Sequence, residues 1–101
     1  MDFEWDEAKN RANYRKHGLD FRDVAKVFQG VTITAADTRR DYGEKRDISL
    51  GMLEDVVVVV VHTRRSEKIR IISMRKAKPR ERKLYEEKIF LGLGASPQLE
   101  G

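Results

Sequence analysis

Apolar and polar positions change rhythm twice along the 101 residues. Phe3 and Trp5 flank a charged residue and read as a short strand or a hydrophobic anchor. From Asp6, an N-cap residue type, to His17 the spacing is helical. Trp5, Ala8 and Ala12 fall on one side, and Lys9, Asn13 and Lys16, at i, i+4 and i+7, on another. Gly18 is placed to end that helix in a left-handed conformation. Asp20 then caps a second helix, with Phe21, Val24, Ala25, Val27 and Phe28 as its apolar stripe and Gly30 as its stop. A connection of one or two residues makes the pair a helical hairpin.

Beyond Gly30 the period falls to two. Val31 to Thr34 is β-branched and reads as a strand; residues 37–45 are polar around Gly43 and read as a turn. Arg46, Ile48, Leu50 and Met52 alternate onto one face. Glu54 and Asp55 turn the chain into six consecutive valines, Val56 to Val61. A strand apolar on both sides belongs at the centre of a covered sheet. After a turn at Arg64 to Glu67 comes a strand over 68–74, with Arg75 following the face of Ile69, Ile71 and Ser73. Pro79 suits the first turn of a last helix over 80–91, packed through Leu84, Ile89 and Phe90. The pattern predicts an α+β domain: a short N-terminal strand, a two-helix hairpin, a four-stranded antiparallel meander and a C-terminal helix. Residues 1–91 form the single domain, and 92–101 read as a flexible tail.

Composition narrows the function classes. No run approaches the roughly 20 apolar residues of a membrane span. Met1 leads into acidic Asp2, Glu4 and Asp6, so no leader is expected. The absence of cysteine excludes disulfides, thiol catalysis, iron–sulfur clusters and the common structural zinc sites. The expectation is a cytoplasmic protein. Charged residues make up 38% of the chain, with a formal net charge of +4. That charge is polarised: residues 62–88 hold eleven Lys or Arg against four Glu, while the remainder holds ten against thirteen. A basic face attracts a polyanion, of which nucleic acid is the commonest; a merely solvated surface is the alternative.

RNA cleavage needs no protein nucleophile, because the neighbouring 2′-hydroxyl attacks its own phosphodiester. The protein must move two protons and offset charge on the phosphorane. Histidine carries protons near neutral pH, arginine grips phosphate in a planar fork, and tyrosine stacks on a base or donates a proton. The chain has His17, His62, Tyr85 and many arginines. Each has a plainer reading as well. His17 stands before Gly18, where a histidine also complements the helix dipole. His62 ends the valine strand on the side of Val58 and Val60, and Arg46 begins a strand, both positions typical of solvated ends. Arg75 stands at the entrance to the basic loop Lys76 to Lys78, as an anion holder or as the partner of Glu81. Arg82 and Tyr85 are neighbours on the last helix, where Tyr85 also suits a core edge. Among so many arginines Glu81 is a poor proton carrier and is assigned to orienting an arginine. Lys9, Asn13 and Lys16 form a polar stripe that tracks phosphates or simply faces water. Asp37, Asp41, Glu44 and Asp47 lack metal-ligand spacing, and neither metal nor cofactor is expected.

Several fragments, in order, resemble the BrnT toxins of the RelE/ParE superfamily: Phe3-Glu4-Trp5-Asp6, Lys9, Asn13 and Lys16-His17-Gly18, then Phe21 and Val27-Phe28. Arg46, His62-Thr63-Arg64, Ile71-Ile72-Ser73-Met74-Arg75-Lys76-Ala77 and Glu81-Arg82 with Tyr85 continue the likeness, which spans most of residues 3–90. The resemblance implies a RelE-like fold and a ribonuclease toxin of a type II toxin–antitoxin pair. It further implies metal-free RNA cleavage and neutralisation by a BrnA-type antitoxin, with RNA taken free or on the ribosome. The candidate set is then His17, Arg46, His62, Arg75, Arg82 and Tyr85 for catalysis, and Lys9, Asn13, Lys16, Arg64, Lys76 and Lys78 for RNA contact. Glu81 supports the arginines. A non-catalytic binder of nucleic acid or protein, or a ParE-like poison of gyrase, are the competing readings.

Overall fold

The computed structural model describes residues 1–94. Its elements are β1 (Asp2–Glu4), α1 (Glu7–His17), a 3-10 turn (Phe21–Asp23), α2 (Val24–Gln29), β2 (Ile33–Ala36), β3 (Asp47–Leu53), β4 (Val56–Arg65), β5 (Lys68–Lys76) and α3 (Pro79–Gly94). The fold is mixed α+β, with one five-stranded sheet in the order β1-β5-β4-β3-β2. β2, β3 and β4 each pair antiparallel with the strand that follows, while β1 lies parallel beside β5 through Phe3↔Ile69.

Local chemistry sets the helix ends. Asp6 caps α1 by accepting from the Lys9 N–H, and Gly18 closes it at φ 73°. The stripe over Phe21 to Phe28 is broken rather than one helix. Asn10 of α1 accepts the Phe21 N–H at 2.8 Å, Asp20 caps the 3-10 turn, and α2 starts only at Val24. At the other end α3 runs through Gly94, three residues past the expected stop. Residues 92–94 of the expected tail are therefore helical, and 95–101 lie outside the described residues.

The valine strand is covered on both sides. Val58 and Val60 meet Phe21, Val24, Val27, Ile69, Ile71 and Met74 beneath α1 and α2. Val57 and Val59 meet Leu50 and Tyr85 beneath α3. Fully burying such side chains stabilises by about 1.5–3 kcal/mol each, which is how so small a chain holds two apolar layers. Gly51 permits the close seat of α2: a Cβ there would lie 2.7 Å from Val27 Cγ1.

One irregularity decides where Arg75 points. The β4–β5 register pairs Val61 with Ser73 but His62 with Ile71, leaving Ile72 as an extra residue. Ile69, Ile71 and Met74 therefore share the α1–α2 side, while Ser73 and Arg75 turn to the α3 side opposite Val61 and Val59. The expected common face of Ile69, Ile71, Ser73 and Arg75 does not exist, because strict alternation fails at the bulge.

Candidate functional site

Arg75 ends on the α3 side of the sheet, in the cross-strand row Ile33–Leu50–Val59–Arg75. Its guanidinium meets Glu81 in a two-point fork: Nη1 to Oε1 at 2.8 Å and Nη2 to Oε2 at 2.9 Å. Nη1 also donates to the Lys76 carbonyl at 3.2 Å. Glu81 sits in the first turn of α3 and accepts the Lys78 N–H at 2.8 Å, closing the helix N-terminus while Pro79 occupies its first position. The Arg75 fork holds the Glu81 carboxyl down at about 2, so it is ionised throughout the neutral range. Glu81 in turn raises the pKa of Arg75. The pair is half-buried, and two of the five guanidinium N–H groups of Arg75 remain free of these bonds. Lys76, Lys78 and Arg82 are exposed around it. This is a fixed cation at the rim of a sheet, suited to a phosphate.

Tyr85 lies one turn further along α3. Its ring is buried with Leu50, Val57 and Val59, and its hydroxyl donates to the Val31 carbonyl at 2.7 Å. Burial raises the tyrosine pKa. The side chain ties α3 to the approach to β2 instead of presenting a ring to solvent.

The other candidates divide. His62 is 8% exposed and lies on the α1–α2 side, opposite to Arg75. Its Nε2 pairs with Ser49 Oγ at 2.8 Å, Ser49 with Thr34 Oγ1 at 2.7 Å, and the Phe28 ring stands edge-on at 5.3 Å. Burial lowers its pKa, Asp47 pulls the other way, and Arg64 adds to the lowering. Asn13 is buried too. Its amide donates to the carbonyls of Met74 (2.9 Å) and Leu19 (3.2 Å) and accepts the Met74 N–H at 3.2 Å. β1 reaches only as far as Arg70 along β5, and the Asn13 amide fills in for a strand beyond it. That side chain is fully engaged by backbone and offers nothing to RNA. Lys9 and Lys16 are exposed on α1, His17 is partly exposed at its last residue, and Arg64 is exposed. Arg46 pairs with Glu44 at 3.4 Å and lies over the Tyr42 ring at 4.2 Å.

Sequence reasoning passed over Arg39, which the structure fixes as firmly as Arg75. Asp37, followed two residues later by arginine, is the signal that was there to find: an Asx-type turn in which the carboxylate accepts both backbone N–H and guanidinium. Among the described residues no group of three or more His, Asp or Glu side chains is arranged to hold a metal. No helix among them is long and apolar enough to cross a membrane.

No curated protein matches the chain. A family model described as the ribonuclease toxin BrnT of type II toxin–antitoxin systems matches residues 5–81. The match takes in Arg39, Arg75 and Glu81 and stops short of Arg82 and Tyr85. With most of the sheet, both N-terminal helices and the Arg75–Glu81 pair inside it, the chain belongs to the BrnT family of ribonuclease toxins.

Proposed function

We propose that this BrnT-family chain is a RelE-like, metal-independent endoribonuclease that arrests translation by cutting RNA in the cytoplasm. A toxin of a type II system is paired with an antitoxin; here a BrnA-type partner brings an acidic or amphipathic segment over the basic face. The 2′-hydroxyl attacks the adjacent phosphorus and the 5′-oxygen leaves, giving a 2′,3′-cyclic phosphate and a 5′-hydroxyl. Arg75, oriented by Glu81, holds a non-bridging oxygen as charge builds on the phosphorane, and Arg82 and Arg46 add to that field. Lys9, Lys16, Arg64, Lys76 and Lys78 attract the backbone of RNA that is free or held on the ribosome. His17, at the end of α1, is the more exposed histidine and the one open to proton transfer, but α1 covers the side of the sheet opposite to Arg75, so it serves only RNA that passes the β5 edge. His62 is left out because it is sealed under Phe28 and bonded to Ser49. Tyr85 acts by holding α3, and with it Glu81, in place.

The single observation that supports this reading is the half-exposed Arg75 guanidinium clamped by Glu81 at the β5–α3 junction. The test is controlled induction in a bacterium with transcriptome-wide mapping of new RNA 5′-hydroxyl ends. Growth arrest with abundant new ends, both lost in Arg75→Ala, is expected. Arrest without new ends moves the reading to a gyrase poison or a pure binder. New ends that persist in Arg75→Ala remove Arg75 from the site.

A further inference from the structure

The outer surface of the α1–α2 side carries three clefts in a row. The first, of about 480 Å³, opens between α1 and the 3-10 turn and is lined by Arg11, Tyr14, Arg15 and Arg22. Arg22 is also a wall of the second, of about 340 Å³, which runs between β1 and α2 beside Lys68. Met1, Phe3 and Ala25 belong both to the second cleft and to the third, of about 220 Å³, which ends at Phe28 and Gln29. The shared walls make one groove, cationic at one end and apolar at the other.

The cationic end is held in place from within. Asp20 grips Arg22 through Nη2 at 2.8 Å and Nε at 3.2 Å, and Asn10, itself 4% exposed, donates to Asp20 at 3.0 Å. The guanidinium plane is thereby fixed. Yet 71% of the Arg22 side chain faces solvent, and three of its five N–H groups are free of Asp20. Arg11 and Arg15 stand one turn apart on α1, where like charges repel. Among the described residues neither forms an ion pair. The acids of the groove are already engaged or remote from this end: Asp20 as above, Glu7 by the Trp5 indole N–H at 3.1 Å, and Asp2 cross-strand from Lys68. The spare guanidinium donors call for an anion. At the other end the Phe3 and Phe28 rings pack on each other, 5.5 Å apart, and on the core. The floor left open there is aliphatic, from Ala25 and the 82% exposed Met1, and suits a leucine-like side chain better than a nucleotide base.

We propose that this groove docks an acidic segment of the antitoxin that also carries apolar side chains. Its carboxylates meet Arg11, Arg15 and Arg22, and its apolar residues settle against Met1, Ala25 and Phe28. The groove lies on the side of the sheet opposite to Arg75, so this contact is separate from the one that covers the basic face. The proposal rests on the reading of this chain as the toxin of a type II pair. For the test, the full chain is purified from its complex with the antitoxin and titrated back onto immobilised antitoxin over a salt series. Two variants change exposed residues away from Arg75: the double variant Arg11→Glu with Arg15→Glu, and Ala25→Glu. Each is expected to weaken antitoxin binding about tenfold or more, the first with a shallower dependence on salt. Growth arrest and new RNA ends, measured without antitoxin, are expected to match the wild type. Ala25→Ser, which adds neither charge nor bulk, is expected to bind as the wild type does; should Ala25→Glu fail to fold, the arginine variant alone decides. Wild-type affinity in the folded variants overturns this proposal and leaves the toxin reading intact. If the arginine variant keeps its antitoxin but loses affinity for a fluorescein-labelled 2′-O-methyl RNA oligonucleotide, the groove is an RNA contact and the proposal falls. It falls likewise if the wild type self-associates in sedimentation and Ala25→Glu abolishes only that. A wild type that neither arrests growth nor binds the antitoxin overturns the toxin reading and this proposal together.

Discussion

Two sets of polar groups, one on each side of the sheet, are handled in opposite ways. On the α1–α2 side, Asn10, Asn13, Ser49 and His62 are each at most 8% exposed, and each is bonded to another part of the protein. On the α3 side, Arg39 and Arg75 are anchored by carboxylates but keep donors turned outward. Both sides contain residue types that chemistry could use. The difference lies in where these particular hydrogen bonds end: inside the chain for the four buried groups, and partly at solvent for the two arginines. A buried polar group must be satisfied internally or it costs stability, whereas an anchored surface cation has spare bonding capacity that a ligand can take.

The contrast breaks first at Arg75. Arg75→Ala is expected to reduce RNA cleavage about 100- to 1,000-fold, as for loss of a donor aimed at developing oxyanion charge. Because the ion pair is half-exposed, its melting temperature should stay close to wild type. A variant that loses cleavage only in proportion to lost folded protein would place Arg75 with the structural residues. Next in size, Asn13→Ala should destabilise by about 2 kcal/mol, since it strands the N–H and C=O of Met74 and the carbonyl of Leu19. Urea titration measures this, and a neutral result would show that water replaces the amide. Tyr85→Phe deletes only the bond to Val31 and should cost about 1 kcal/mol while leaving cleavage nearly intact. Strong loss of cleavage with unchanged stability would instead give the hydroxyl a chemical role.

The smallest effect tests the sealed side by pH. Burial lowers the folded-state pKa of His62, so below the ordinary histidine value the unfolded chain takes a proton that the folded chain resists. This contribution is complete above about pH 6.5 and is lost as pH falls from there towards the folded value. His62→Gln should therefore flatten the fall in melting temperature between pH 7 and pH 5. Parallel curves for the two proteins would show that His62 opens to solvent on protonation without cost.

Much of this was written in the residue pattern. The six valines declared a strand covered on both sides, and Asp6, Gly18 and Pro79 marked helix ends by local chemistry alone. The errors arose where a side chain or one extra residue overrode local pattern. Asn10 captures the first amide after Asp20 and turns the start of a helix into a 3-10 turn. Ile72 inserts a bulge that no alternation rule foresees, and it moves Arg75 to the other face. Asn13 on a polar helical stripe looks like a surface residue, because the strand edge it satisfies is 61 positions away. The Arg75–Glu81 pair was visible because six residues separate its partners. The burial of His62 is not legible in the sequence, because a strand-end histidine shows nothing of the phenylalanine that covers it.

The Asn13 clamp has a consequence for self-association. β5 extends six residues beyond the point where β1 stops covering it, and an uncovered strand edge is a template for pairing with another chain. By occupying the N–H and C=O of Met74, one amide side chain blocks that edge where a foreign strand would begin to zip. Loss of Asn13 thus removes a guard as well as a brace, and the damaged protein should gather into oligomers sooner than its lowered stability alone would bring about.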